Sequence, residues 1–230
     1  MNDQVTAIAI DGPAGAGKST IAKRVAKDLG YIYVDTGAMY RAMAIHFIRK
    51  GISPEDTAGI EANAESASVT IKYINGEQRV YLNDEDVTAI LRTPEVSNMA
   101  SVSSAVPKVR LKLVELQREL ARTNNVVMDG RDIGSYVLPD ARIKIYMTAG
   151  IKERAKRRYN EMLEKGQECD LAQIEKEIEE RDYRDMHRDF APLVQAPDAT
   201  LIDTSTMSIE EVAETVKNLV YGPINYGSWQ

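Results

Sequence analysis

Short apolar runs alternate with longer amphipathic ones along most of this chain. Val5-Thr6-Ala7-Ile8-Ala9-Ile10 is a continuous apolar run of strand length, and Ile21 to Leu29 places apolar residues at helical spacing until Gly30 stops it. Tyr31-Ile32-Tyr33-Val34-Asp35 is a second β-rich run, followed by a helical stretch from Ala38 to Arg49 that Gly51 closes. Strands alternating with helices in this way predict a parallel sheet with helical crossovers.

Ser53-Pro54-Glu55-Asp56 announces a further helix, with Ser as N-cap and Pro at its first position. The period then changes. Val69 to Ile74 and Arg79 to Asn83 flank the turn pair Asn75-Gly76, and Asp86-Val87-Thr88 offers a third short strand, so about residues 68–90 form an inserted antiparallel sheet. Helical spacing returns at Thr93-Pro94-Glu95 and from Pro107 to Arg122, where Val109, Leu113, Leu116 and Leu120 make one apolar stripe. Val126 to Asp129, Arg142 to Met147 and Thr200 to Asp203 complete a parallel sheet of five strands, the last leading to an amphipathic helix from Ser208 to about Val220. The tail from Tyr221 to Gln230, with Trp229, has no periodicity, and both fraying and packing on the core stay open for it.

At 230 residues the chain accommodates one α/β domain with small insertions or two small domains. Its net charge of −6 argues against a nucleic-acid partner, which calls for a basic excess. Cys169 is the one cysteine, so no intramolecular disulfide forms and a reducing, cytoplasmic setting is the simplest reading. Besides it only His46 and His187 are available, too few for a transition-metal site of Cys and His. The N-terminus has neither the basic nor the long apolar character of a signal peptide or membrane span.

The chemistry begins between the first strand and the first helix. Gly12-Pro13-Ala14-Gly15-Ala16-Gly17-Lys18-Ser19-Thr20 fits the pattern of Gly, four residues, then Gly-Lys-Ser/Thr, which cradles phosphates. Strand, loop and helix converge backbone N–H groups and the helix dipole on one concavity that favours anions. Lys18 then supplies a point charge for the β- and γ-phosphates, and Ser19 a hydroxyl for Mg²⁺. Ligands of open parallel sheets bind at the carboxyl edge of the strands, so Asp35-Thr36-Gly37 and Arg41 are expected to face the same crevice. Asp129 ends a buried strand downstream of the loop, the place from which a carboxylate holds the Mg²⁺ shell, and Gly130-Arg131-Asp132 follows it directly.

Two arginine stripes stand out in an acidic chain. Arg154, Arg157 and Arg158 share one helical face, as do Arg181, Arg184, Asp185 and Arg188. Solvated helices laced by Glu153–Arg157 and Glu177–Arg181 ion pairs would account for either stripe alone. Both together beside a phosphate loop suit the transfer of a phosphoryl group between two phosphate-bearing substrates, because guanidinium groups clamp phosphate oxygens bidentately. Asp56-Thr57-Ala58-Gly59-Ile60-Glu61 looks like a GTPase switch element but follows Ser-Pro-Glu and begins a helix, and the chain has no Asn-Lys-x-Asp motif to read guanine. A motor would need a basic groove, so a small-molecule phosphotransferase remains, and the arginine count favours a phosphate as acceptor over a hydroxyl.

Taken with the loop, Asp35-Thr36-Gly37-Ala38-Met39-Tyr40-Arg41, Asp129-Gly130-Arg131-Asp132-Ile133-Gly134 and Arg181-Asp182-Tyr183-Arg184-Asp185 resemble the bacterial cytidylate kinase family over nearly the whole chain. The resemblance implies the nucleoside monophosphate kinase fold: an α/β core with a five-stranded parallel sheet flanked by helices, a small antiparallel β insert and a short helical lid. It implies a core of residues 1–35, 98–149 and 169–230, a monophosphate-binding region of 36–97 and a lid of 150–168. It implies phosphoryl transfer from ATP, with Mg²⁺, to CMP or dCMP by a cytoplasmic protein expected to be monomeric. By position in the motifs, residues 12–20 would bind ATP, with Ser19 and Asp129 serving the Mg²⁺. Arg41, Arg131 and Arg188 would hold the acceptor's phosphate, Arg181 and Asp185 would meet its sugar, and Asp35 and Thr36 would also belong to the CMP-binding site. Ser101, Arg110 and Asp132 would read cytosine, while Lys18, Arg131, Arg154, Arg157 and Arg158 would stabilise the transferring group.

Overall fold

The computed structural model describes residues 5–222, so the expectation for the tail with Trp229 lies outside the described residues. In chain order β1 (Ala7–Asp11), α1 (Lys18–Leu29), β2 (Ile32–Asp35) and α2 (Thr36–Arg49) form the first βαβα unit. α3 (Thr57–Asn63) precedes the small antiparallel sheet β3 (Val69–Ile74), β4 (Glu77–Leu82) and β5 (Glu85–Asp86). Helices α4 (Pro94–Ser103) and α5 (Pro107–Thr123) return the chain to β6 (Val126–Asp129), and a π-helical turn at Ile133–Val137 leads to β7 (Ile143–Thr148). α6 (Ile151–Glu164), α7 (Leu171–His187), β8 (Thr200–Asp203) and α8 (Ile209–Tyr221) complete the described chain.

The large sheet has the order β2-β6-β1-β7-β8 with every pair parallel. In its register Asp35 lies beside Asp129 and Asp129 beside Ile10, so β2 and β6 end at one level and β1 ends one residue beyond it. The loops that carry the candidate chemistry therefore leave from one edge. One face of the sheet is covered by α2 and α5, whose Met39, Met43, Phe47, Val109 and Leu113 are buried with Val34 and Met128. The other is covered by α1 and α8 through Ile21, Val25, Val212 and Val216 against Ile8, Ile10 and Ile145. The stripe expected on α5 is buried at Val109 and Leu113 and half-buried at Leu116 and Leu120.

The boundaries differ in places where a cap decides them. Helix α3 begins after Asp56, whose carboxylate accepts the Gly59 amide at 2.8 Å, so Asp56 is the cap and not Ser53, which sits in the preceding turn. α1 starts already at Lys18 because Gly17 ends the loop in the left-handed region at φ 87°. α2 starts at Thr36, capped by Asp35 through the Ala38 amide. The third strand of the insert is Glu85–Asp86, with Thr88 instead entering a 3-10 turn and accepting the Val80 amide.

On α5, Leu113 is fully buried whereas Leu111 is half exposed. Leu113→Ala should cost about 3 kcal/mol in urea unfolding and Leu111→Ala less than about 0.5 kcal/mol. Equal costs would contradict the placement of this helix.

Candidate active site

The loop between β1 and α1 passes directly over the end of β7. A Cβ on Gly12, at φ 143°, would run into the Met147 carbonyl, and one on Gly15, at φ 77°, would lie 3.1 Å from Arg154 Cβ. Lys18 is buried, and its Nζ donates to the Pro13 carbonyl at 2.6 Å. Burial holds its pKa well below the usual lysine value; nearby Arg131 pushes the same way and Asp129 opposes.

Asp129, at the end of β6, is bonded at both carboxylate oxygens. Ser19 donates to one at 2.8 Å and Tyr33 to the other at 2.8 Å, while the Thr36 hydroxyl donates to the Asp129 carbonyl at 2.7 Å. Burial raises the Asp129 pKa, with Asp35 adding to that and Lys18 opposing it. The starts of α1 and α2 and the strand β2 thus meet at one aspartate of β6. On α2, Arg41 reaches the Asp35 carboxylate at 3.2 Å.

The next group lies around the turn after β6. Arg131 pairs with Asp185 at 2.8 Å, and Asp132 lies between Arg110, with which it makes a short ion pair, and Arg188 at 3.3 Å. Arg110 also donates to the Ser104 carbonyl, and the Ser101 hydroxyl is buried without a hydrogen-bond partner. Burial works against the Asp185 carboxylate, yet Arg131 and Arg181 beside it keep its pKa below the ordinary aspartate value. Arg181 is different: its Nε has no hydrogen-bond partner, and burial, then the charge of Arg131, push its pKa down to about 10. Arg41 and Arg158 add to that repulsion. A buried cation beside other cations is a place prepared for an anion.

On α6 the arginines are held by backbone. Arg154 donates to the Ala149 and Ala14 carbonyls, both at 2.9 Å, and pairs with Asp182 at 2.7 Å. Arg157 donates to the Thr204 carbonyl at 2.6 Å and to its hydroxyl at 3.2 Å. Arg158 is the loosest of the three, 41% exposed and 3.9 Å from Glu177. The Glu153–Arg157 and Glu177–Arg181 pairs weighed from the sequence are not formed; Glu177 approaches Arg158 instead, because the two arginines turn toward the loop and the interior. The second stripe is also corrected: Arg184 is exposed on α7, and the inward residues are Arg181, Asp182 and Asp185.

Sequence reasoning passed over Tyr33, Asp182, Thr204 and Asp11. Asp182 stands within a motif already singled out, and Asp11 ends β1 as Asp129 ends β6. Asp11 carries the turn at its side, accepting the Ile133 amide at 2.8 Å and the Gly134 amide at 2.7 Å. No periodicity signals a carboxylate that serves backbone groups 122 and 123 residues away.

A sequence model described as cytidylate kinase matches residues 8–221. This chain belongs to the cytidylate kinase family. A relative named cytidylate kinase from Caldicellulosiruptor bescii is 52% identical over 214 residues, covering 93% of this chain and 95% of the relative. Another of that name from Lactiplantibacillus plantarum is 49% identical over 220 residues, covering 96% of each. An uncharacterized protein from Eubacterium ventriosum shares the fold at 12% identity, with a TM-score of 0.51 and coverage of 94% and 99%. The cytidylate kinase match takes in every loop that meets the crevice, from Gly12 to Thr204. No described helix is long and apolar enough to cross a membrane.

Burial pushes the Asp11 carboxyl up to about 7, against the pull of its two amide donors. An acid with a higher pKa folded than unfolded contributes stability that is full below the unfolded value of about 4 and lost as the pH rises through the folded one. Asp11→Asn cannot titrate and removes one acceptor. Its stability deficit in urea unfolding should shrink from about pH 5 to about pH 8; a deficit that grows over that interval would contradict the shift.

Proposed function

We propose that this protein transfers the γ-phosphoryl group of ATP directly and in line to the phosphate of CMP or dCMP, giving CDP or dCDP. The observation that carries the reading is Arg181, whose buried Nε has no hydrogen-bond partner and whose guanidinium, with Asp185 beside it, lies within the field of Lys18 on the loop side and of Arg131 and Arg41 on the other. Such a junction suits a group that crosses between two phosphates. The acceptor phosphate is already an anionic nucleophile, so the protein's work is alignment and charge compensation.

In this reading residues 12–20 cradle the triphosphate, with Lys18 leaving the Pro13 carbonyl for phosphate oxygens. Arg131 and Arg188 bind the acceptor's phosphate, each exchanging a carboxylate for it, Arg41 binds it while oriented by Asp35, and Thr36 lies beside them. Asp185 and Arg181 meet the sugar. Ser101, Arg110 and Asp132 take the base: cytosine presents an N4 donor to Asp132 and an N3 acceptor to Arg110, whereas uracil reverses both and leaves buried charges mispaired. Arg154, Arg157 and Arg158 belong to a lid of residues 150–168 that closes on the transferring group, and residues 36–97 close on the acceptor. The proposal takes the protein as a monomer, and the free Cys169 fits a reducing cytoplasm.

Mg²⁺ is part of the proposal. Among the described residues no cluster of three or more His, Cys, Asp or Glu gathers, and the donors at hand are the Ser19 hydroxyl and the Asp129 carboxylate, 2.8 Å apart. Two hard oxygens suit an ion that keeps several waters and takes its remaining ligands from phosphates. Ser19 and Asp129 would hold its ligand shell, and the ion would supply charge neutralisation to the phosphates.

An assay of ADP formation with CMP, dCMP, UMP, AMP and shikimate should show turnover concentrated on the first two, with UMP at least roughly tenfold poorer. In the same assay Arg188→Ala should raise the KM for CMP about tenfold or more while the KM for ATP stays within about twofold. Equal turnover of CMP and UMP would contradict the base assignment. Tight nucleotide binding with no acceptor dependence would make the protein a switch instead.

A further inference from the structure

The insert meets the parallel sheet at an edge with no described strand beside it. Among the described residues β2 is an end strand paired only with β6, which leaves one side of its backbone without a strand partner. Gln78 of β4 closes it at Asp35. Its Oε1 accepts the Asp35 amide at 2.9 Å, and its Nε2 donates to the Asp35 carbonyl at 3.2 Å, the two bonds that a neighbouring peptide group would make. Two residues earlier on β2, the Tyr73 hydroxyl of β3 donates to the Tyr33 carbonyl at 3.0 Å.

What Gln78 fixes is the residue on which Arg41 depends. The Asp35 carboxylate caps α2 through Ala38 and reaches the Arg41 guanidinium, whose Nε has no hydrogen-bond partner. A competing cation stands close: Arg92, mostly exposed, lies 3.6 Å from the same carboxylate. With both backbone groups of Asp35 tied, its side chain keeps one direction between the two arginines.

We propose that Gln78 is a positioning residue for the acceptor's phosphate: it substitutes for a missing strand at Asp35, and so orients that carboxylate and, through it, Arg41. This rests on the proposed role of Arg41 in the acceptor site. It gives the insert a definite task in the core reaction, exerted through two side-chain hydrogen bonds.

The test uses Gln78→Ala and Gln78→Met, the second keeping length and packing while losing both bonds. Amide exchange at Asp35 should accelerate in both variants. The KM for CMP should rise roughly fivefold, as expected for losing about one hydrogen bond's worth of orientation, with kcat and the KM for ATP within about twofold. Because Gln78 acts through Arg41, Gln78→Met should add little to Arg41→Ala. An unchanged KM for CMP in Gln78→Met, unchanged Asp35 exchange, full additivity with Arg41→Ala, or a parallel shift of all three kinetic constants would each overturn the proposal. Failure of the functional reading looks different. The wild-type protein would then form no ADP in response to CMP while Asp35 still lost protection in Gln78→Met, which removes the positioning role together with the substrate.

Discussion

Guanidinium and carboxylate groups buried side by side at the carboxyl edge of one parallel sheet set the terms for the rest of this structure. A charge taken out of water costs several kcal/mol unless a partner compensates it. Here the compensation is reciprocal: Arg131 with Asp185, Arg188 and Arg110 with Asp132, Arg154 with Asp182, Arg41 with Asp35. The sheet supplies the geometry, since β2 and β6 end at one level, β1 ends one residue beyond it, and their final residues are all aspartates. Helices α2, α5 and α6 and the turns after β6 and α7 supply the cations, and Arg154 of α6 faces inward because Asp182 is there to receive it, whereas Arg158 stays half-exposed and Arg184 exposed.

On the proposed function the same pairing makes the crevice receptive to substrate and not simply stable. A guanidinium already held by a carboxylate can exchange it for a phosphate at modest cost, because one anion replaces another in the same desolvated place. On the proposed reading the exchange does two things together. It places phosphate against Arg131 and Arg188, and it frees Asp185 and Asp132 for the sugar and the base. Arg181 has no such partner to give up. Burial first, and then the charge of Arg131 against the pull of Asp185, lower its pKa.

Most of the scaffold was legible in the sequence for a physical reason. β6 and β8 coincide with the apolar runs ending in Asp129 and Asp203, and α8 follows the Ser208 and Glu211 capping box. Ser53 misled because Asp56, three residues on, caps better and lies directly before the helical run. In the site, the placement of loop and motif residues was legible because their signal is local: Lys18 and Ser19 open α1, Asp129 ends β6 and Arg131 lies in the turn after it. The arginine stripes were legible as stripes but not as partners. Helical spacing cannot say that Arg154 spends itself on Ala14 and Asp182, or that Arg184 faces water. Asp11 and Gln78 were invisible because their partners are backbone atoms of distant segments, which carry no residue signature.

A crystal structure of the protein with bound CMP tests the central claim most directly. The account predicts the phosphate of CMP within hydrogen-bond distance, about 2.9 Å, of the Arg131 and Arg188 guanidinium groups, with Asp132 turned to the base and Lys18 facing the phosphate across the crevice. A nucleotide bound elsewhere, with the Arg131–Asp185 and Arg188–Asp132 pairs intact beside it, would contradict it.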